Sequence, residues 1–393
     1  MNKSLKKTCA LLLTMFIFIT VACAQEIGAN FNHEPEIIDI SYLKETPVEW
    51  IRTTPYIFEY INGDKDPATS PGLDKLIEVK KEGYKIAFGF RWDFKKFDLN
   101  IPEPGSEREK KYFDVAAKIL DRVGPDISIF LLGNEPNLET KDEDMQTNDK
   151  GYVPLVMFTK RLYSEVVANY YNNHPSLKKP DVYVGSIAAV FLKKFQENAA
   201  VSGLIKLAQE NKNIKGLSIH LHIKDSSQMD NAFQFVRSMM PSKPIIVPEF
   251  SLFKLYNEHV TDELGDTPAG IAFAKKYNYS PHEKTYEWYS HANTDRVSAK
   301  EWKDFFDSRK WFPQHFMKTY YRYFKKYGVV LATYGFLSQS APKNVGPKTG
   351  IWFINPIFPG KSLLPQPDGS ITPNPLWFDD FTDIVNEGKP TKN

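Results

Sequence analysis

A single (β/α)8 barrel is the fold class this sequence predicts, and three observations predict it. Eight short apolar runs recur along the chain, the segments between them switch to helical spacing, and no linker, low-complexity tract or internal repeat divides the 393 residues. Barrels of this class commonly reach about 250 residues or more in one domain, so the length fits one domain with insertions.

The expected strands are residues 27–30, 48–53, 84–90, 127–132, 182–185, 214–220, 245–249 and 329–335. Their β-branched and aromatic content, and lengths of roughly four to eight residues, favour strands over fragments of helix. Between them Phe113, Ala117 and Leu120 share one helical face, and Phe158, Leu162 and Val166 share another. Residues 73–79, 192–207, 232–239 and 316–324 are further helix candidates, while 36–45 leaves room for only a short or irregular helix. Two long insertions follow the seventh and eighth strands. The first, 251–309, carries Tyr286, Trp288, Tyr289, His291 and Trp302; the second, 338–374, is rich in Pro and Gly and carries Trp352. Both lie after strand C-termini, where such barrels build their sites. Their aromatics either wall a cleft or pack the loops against the barrel.

Hydrophobic residues make up 42% and charged residues 25%, enough apolar surface for a large core. The 14% aromatic content suits core packing and also stacking on the apolar faces of sugar rings. Lys3, Lys6 and Lys7 followed by an apolar run at 10–22 read as a secretion signal, since the run is short for a membrane span. The division expected is thus a leader at 1–24 and a barrel at 25–393, in an exported protein of the periplasm, the outer-membrane surface or the medium. Ala22-Cys23-Ala24 fits cleavage before Gln25; Cys23 fits equally the lipid-accepting cysteine of a relaxed lipobox, which would anchor the chain to the outer membrane. Cys9 and Cys23 both lie in the leader, so a disulfide in the body is excluded. With 50 Lys and Arg against 48 Asp and Glu, and three of the lysines in the leader, the body is close to neutral. That balance argues against nucleic acid as a partner, and a monomer is expected.

The sharpest local signal is Leu131-Leu132-Gly133-Asn134-Glu135-Pro136-Asn137, an apolar strand running into an Asn-Glu pair and a proline that stops regular structure. The second is Ile245-Ile246-Val247-Pro248-Glu249-Phe250, a buried strand ending in a lone carboxylate. A carboxylate among such neighbours costs several kcal/mol unless it is paired or hydrogen-bonded. Counted along the chain, Glu135 ends strand four and Glu249 ends strand seven. This arrangement, with Asn directly before the first Glu, resembles the retaining glycoside hydrolases of clan A. The resemblance implies Glu135 as acid/base, Glu249 as nucleophile and Asn134 as the ligand of the sugar hydroxyl beside the reacting carbon. It covers strand order over most of the chain, but its specific motifs are short: Gly-Asn-Glu-Pro-Asn and the Pro-Glu-Phe strand end.

Elementary chemistry points the same way. Retention needs two carboxyls about 5 to 5.5 Å apart, one ionised and one protonated, in environments that separate their pKa values. Clan A barrels often carry an Arg at the end of strand two near the nucleophile, which here is Arg52; a structural ion pair is the other role open to it. In Gly216-Leu217-Ser218-Ile219-His220-Leu221-His222 the apolar set alternates with Ser218, His220 and His222, which should face into the barrel and bring both histidines toward the cleft. Trp92, in Phe90-Arg91-Trp92-Asp93 after strand three, is a candidate sugar platform, with Arg91 either beside it or structural. The clan's usual Trp at the end of strand eight is missing; Tyr334, Phe336 or the later Trp352 stands in for it.

His220-x-His222 is also a metal-ligand spacing, which Glu249 or Asp225 would complete. Metal-dependent amidohydrolase barrels usually place His-x-His on the first strand and add later histidines, whereas the other six histidines here fall in loops or helices. No metal or cofactor is therefore expected. A barrel that binds glycans without cleaving them is the alternative function; such proteins usually lack a catalytic carboxylate, and both are present. Long aromatic loops favour an endo-acting cleft on a polysaccharide or oligosaccharide.

Overall fold

The structure, a computed structural model, describes residues 25–339, 342 and 344–389. The expected leader, with Cys9 and Cys23, lies outside the described residues. Eight strands close into one barrel in sequence order, each parallel to its neighbours: β1 (Glu26–Asn30), β2 (Trp50–Thr53), β3 (Lys85–Gly89), β4 (Ile127–Leu131), β5 (Asp181–Ala188), β6 (Gly216–His222), β7 (Ile245–Ser251) and β8 (Val329–Gly335). β8 pairs with β1 through the register Glu26 to Leu331 and Asn30 to Gly335, which closes the ring. No described helix is long and apolar enough to cross a membrane.

Strands β5, β6 and β7 run further at their C-terminal ends than their apolar runs suggest. The extra residues include His222 and Ser251, which line the cleft, and Ser186, buried beneath it, so polar groups continue each strand beyond its apolar run. The expected helix at 192–207 is two, Lys193–Gln196 and Ala199–Glu210, because the Asn198 side chain accepts from Ala200 N and Val201 N and starts a new helix there. Ser106 caps the helix Glu107–Val123 in the same way, and Phe113, Ala116 and Leu120 form its buried face; Ala117 sits at the edge of that face. The first connection holds only a 3-10 turn, Pro35–Ile37, and the five-residue helix Ile40–Lys44.

The insertion at 251–309 folds into four helices, Phe253–Glu258, Pro268–Tyr277, Thr285–Asp295 and Ala299–Ser308. Trp288, Tyr289 and Trp302 are completely buried there, Trp288 stacking on Phe305 at 3.6 Å between ring centroids. Packing therefore claims these rings, and none of the five residues singled out in this insertion lines the cleft.

Inside the barrel, Trp50, Ala87, Ile129, Leu131, Tyr183, Ile246 and Leu331 form an apolar plug separate from the larger core between strands and helices. Above the plug lies a polar layer, Arg52, Ser186, Ser218, His220 and Thr333, all fully buried. Ser186 and Ser218 satisfy each other at 2.6 Å, and Thr333 Oγ1 donates to the Pro248 carbonyl. Trp50 fits only because residue 28 lacks a side chain: a Cβ there would come within 2.6 Å of Trp50 Cβ and of its carbonyl oxygen. Gly28→Ala is expected to lower stability by about 1–3 kcal/mol through overpacking. A lower urea midpoint with unchanged slope would show it; an unchanged midpoint would contradict it.

Candidate active site

The loop after β4 sets the first carboxylate. Gly133 (φ 153°) and Glu135 (φ 37°, ψ 46°) turn the chain out of the strand, and Pro136 opens the turn Pro136–Glu139, where the Glu135 carbonyl accepts from Leu138 N at 2.7 Å and Glu139 N at 3.0 Å. A left-handed backbone at a glutamate costs about 1–2 kcal/mol, so it persists only where neighbours enforce it. Asn137 does so. Its amide donates to the Ala188 carbonyl at 2.9 Å and accepts from Ala188 N at 2.9 Å, locking the loop to the end of β5.

The second carboxylate is held from below. Glu249, on β7 and in register with His220 of β6, receives a hydrogen bond from Arg52 Nη1. The same Nη1 faces Asn30 Oδ1 at 3.1 Å and Asn32 Oδ1 at 2.9 Å, and Nη2 donates to Asn134 Oδ1 at 2.5 Å. Arg52 is fully buried; Glu249 keeps a side-chain exposure of 16%, so one edge of its carboxylate faces the cleft. Asn134 is fixed on both sides, because its Nδ2 donates to Glu139 Oε1 at 2.8 Å. Glu139 in turn sits 2.7 Å from Arg91 Nε. Burial raises the Glu139 carboxyl well above the usual range despite Arg91.

Two imidazoles lie between the carboxylates. His220 places Nδ1 3.1 Å from Glu135 Oε1 and Nε2 3.8 Å from Glu249 Oε1. His222 places one nitrogen, Nε2, 3.9 Å from Glu135 Oε1 and 3.4 Å from Glu249 Oε2, while its Nδ1 bonds Ser251 Oγ at 2.8 Å. The two carboxylates thus share a common imidazole neighbour across one opening. Burial works against ionising Glu249, yet the nearby His220 and Arg52 charges and the His222 contact together hold its carboxyl well below the usual range. Burial also opposes the Glu135 anion, and the hydrogen bond with His220 brings that carboxyl below its ordinary value. Burial lowers the His220 pKa in spite of both carboxylates.

Around them is a cleft of about 400 Å³, within the range of small-ligand sites. Asn134, Glu135, His222, Glu249, Tyr334 and Trp352 line it, joined by Asn30, Asn32, His33, Arg91, Ser251, Gln339 and Asn355. Trp352 is 44% exposed, stacks on Phe253 at 3.4 Å and meets the edge of His222 at 4.8 Å, leaving an aromatic surface at the mouth. Arg52 and His220 sit beneath the cleft and reach it through the carboxylates. Trp92 is not there: its indole is buried among Phe58, Phe94, Tyr112 and Phe158. Phe336 packs on Phe31 and Phe358, also away from the cleft. Sequence reasoning passed over Asn30 and Asn32, although their spacing of two at the end of β1 is a usable signal, and over Glu139, for which no local pattern stands out. The donor atoms of Glu135, His220 and His222 lie within 4.8 Å of one another, close enough to hold a metal ion.

No known family profile matches the chain, and no curated protein sequence matches it. Solved structures are similar in fold. The endo-1,4-β-xylanase of Penicillium canescens is 10% identical over 94% of this chain and 96% of that one, with a TM-score of 0.50. An endo-1,4-β-xylanase from Caldicellulosiruptor owensensis is 14% identical over 92% and 97%, with a TM-score of 0.46. A β-glucanase from Saccharophagus degradans is 13% identical over 92% and 88%, with a TM-score of 0.44. At such identities the likeness concerns the fold, and the Penicillium enzyme carries it.

The low pKa of Glu249 has a consequence for stability. A carboxyl depressed in the folded state contributes stability that is present above its unfolded value, about 4.3, and is lost as the pH falls toward the folded value. Glu249→Gln should therefore flatten the fall in urea midpoint as the pH drops below about 5, relative to wild type. Parallel curves for the two proteins would contradict the assignment.

Proposed function

We propose that the chain is a retaining glycoside hydrolase of the clan A type, acting on a polysaccharide or oligosaccharide with Glu249 as nucleophile and Glu135 as acid/base. The observation that carries this is the pair of strand-end carboxylates sharing His222 Nε2 across one cleft, at 3.4 and 3.9 Å. The fold neighbour from Penicillium canescens is an endo-1,4-β-xylanase, which supports the same class of substrate without fixing the sugar.

In the first step the Glu249 carboxylate attacks the anomeric carbon while Glu135 passes its proton to the departing oxygen; the C–O bond to the leaving group breaks and an ester to Glu249 forms. In the second, Glu135 takes a proton from water, whose oxygen attacks the same carbon and releases Glu249. Arg52 keeps Glu249 ionised, and Asn134 is held by Arg52 and Glu139 with its remaining N–H free for a substrate hydroxyl. Trp352, on the β8 loop, offers an aromatic face to a sugar ring at the mouth of the cleft, which suits attack within a chain.

Glu249→Gln should abolish turnover in a folded protein. Glu135→Gln should lose activity on poor leaving groups, by about 10²–10⁴-fold, and keep much of it on activated aryl glycosides. Product NMR should show the starting anomeric configuration. Binding of glycans without turnover on any of them would instead make this a binding barrel, and an inverted product would remove the nucleophile role from Glu249.

The pH profile follows from the same two groups. Activity needs Glu249 ionised and Glu135 protonated, and both carboxyls are held below their ordinary values, Glu249 further. The rate kcat/KM on a poor leaving group is expected to peak below about pH 5, with an alkaline limb that Glu135→Gln removes. A peak near pH 7 would contradict the site electrostatics.

A further inference from the structure

The same opening holds a second arrangement of donors, which joins the proposed acid/base to two histidines. Strand alternation puts His220 and His222 on one face of β6, and the turn after β4, two strands away, brings Glu135 to them. Their ligand atoms all lie within 4.8 Å of one another. His222 is already oriented: Ser251 Oγ bonds Nδ1 at 2.8 Å, and in the tautomer with the proton on Nδ1 the Nε2 lone pair is available to a cation in place of its contacts with the carboxylates. A hydrogen-bonding partner on the far ring nitrogen is how metal-ligating histidines are usually fixed. His220 is completely buried with Nδ1 toward Glu135 Oε1 at 3.1 Å, and the Nε2 of His222 has no hydrogen-bond partner.

We propose that Glu135, His220 and His222 bind one divalent cation of the zinc class, and that the bound ion switches the enzyme off by occupying the Glu135 oxygen that must carry the proton. The inhibitory part rests on the proposed glycosidase function; the binding part does not. Two imidazoles and one carboxylate, with a fourth position for water, form a donor set suited to zinc. Magnesium and calcium require more oxygen ligands than the cluster offers. Glu249 stays engaged with Arg52, so the ion takes the acid/base side of the cleft and excludes the leaving group from it.

The test is calorimetric titration of the chelator-stripped full chain with zinc chloride and, separately, magnesium chloride, alongside hydrolysis of an activated aryl glycoside. One zinc per chain is expected, with no heat from magnesium. His222→Ala and the isosteric Glu135→Gln should each weaken zinc at least tenfold, and Ser251→Ala, which spares all three ligands, about tenfold. Zinc should inhibit competitively with substrate over the concentration range in which it binds, and EDTA should restore the rate. No zinc binding, or binding unchanged in both His222→Ala and Glu135→Gln, overturns the site and points to surface pairs such as His291 with Asp295 or His282 with Glu263. A rate that rises with zinc overturns the inhibition and the two-carboxylate mechanism together. Should no glycoside be cleaved, the functional proposal fails and the calorimetry still decides the metal site.

Discussion

A guanidinium with no exposed surface is the constraint on which the rest of this barrel depends. Arg52 is fully buried at the top of the interior, and a lone charge in that position would cost several kcal/mol, on the order of 3–5 if its partner were removed. Its compensation comes from Glu249 on β7, Asn134 after β4, and Asn30 and Asn32 at the end of β1. One side chain from β2 thereby ties the strand ends on three sides of the barrel, and the group that balances its charge is also the proposed nucleophile. Stability and chemistry at this end of the fold are the same interaction.

The layering of the interior makes this arrangement affordable only at one height. Apolar side chains from Trp50 to Leu331 fill the barrel below, so the polar layer above is sealed from water on its lower side and open to the cleft on its upper side. In such a position electrostatic contacts are stronger than in water, and the His220 and Arg52 charges overcome the burial that opposes Glu249 ionisation. Glu135 obeys a different constraint. Its left-handed backbone is held by the Asn137 clamp on Ala188, so the orientation of that carboxylate toward His220 is set by β5 rather than by its own strand.

Much of this was legible in the sequence because strand alternation is a hard rule. The eight apolar runs and the two strand-end carboxylates show as breaks in hydrophobicity, Arg52 as what the resemblance implies, and the inward face of Ser218, His220 and His222 as period two; the structure brings Glu135, Glu249, Asn134, His222, Tyr334 and Trp352 to one cleft with Arg52 and His220 beneath it. The rule ends where the strand ends. Trp92 lies three residues beyond Gly89, the last residue of β3, and its indole turned into a cage of Phe58, Phe94, Tyr112 and Phe158 instead of the cleft. In the 251–309 insertion, helical packing took Trp288 and Trp302 for the same reason: large rings bury more apolar surface against each other than at a wet rim. Glu139 was invisible because its partners, Asn134 and Arg91, come from a turn and another strand end, a coincidence only the folded chain reveals.

The central claim is that the carboxylate held by Arg52 becomes covalently bonded to the sugar. Its most direct test is mass spectrometry of peptides from protein incubated with activated 2-deoxy-2-fluoro glycosides, which slow the second step and trap the intermediate. The account predicts a glycosyl adduct on Glu249; an adduct on any other residue, from a glycoside the protein turns over, would contradict it.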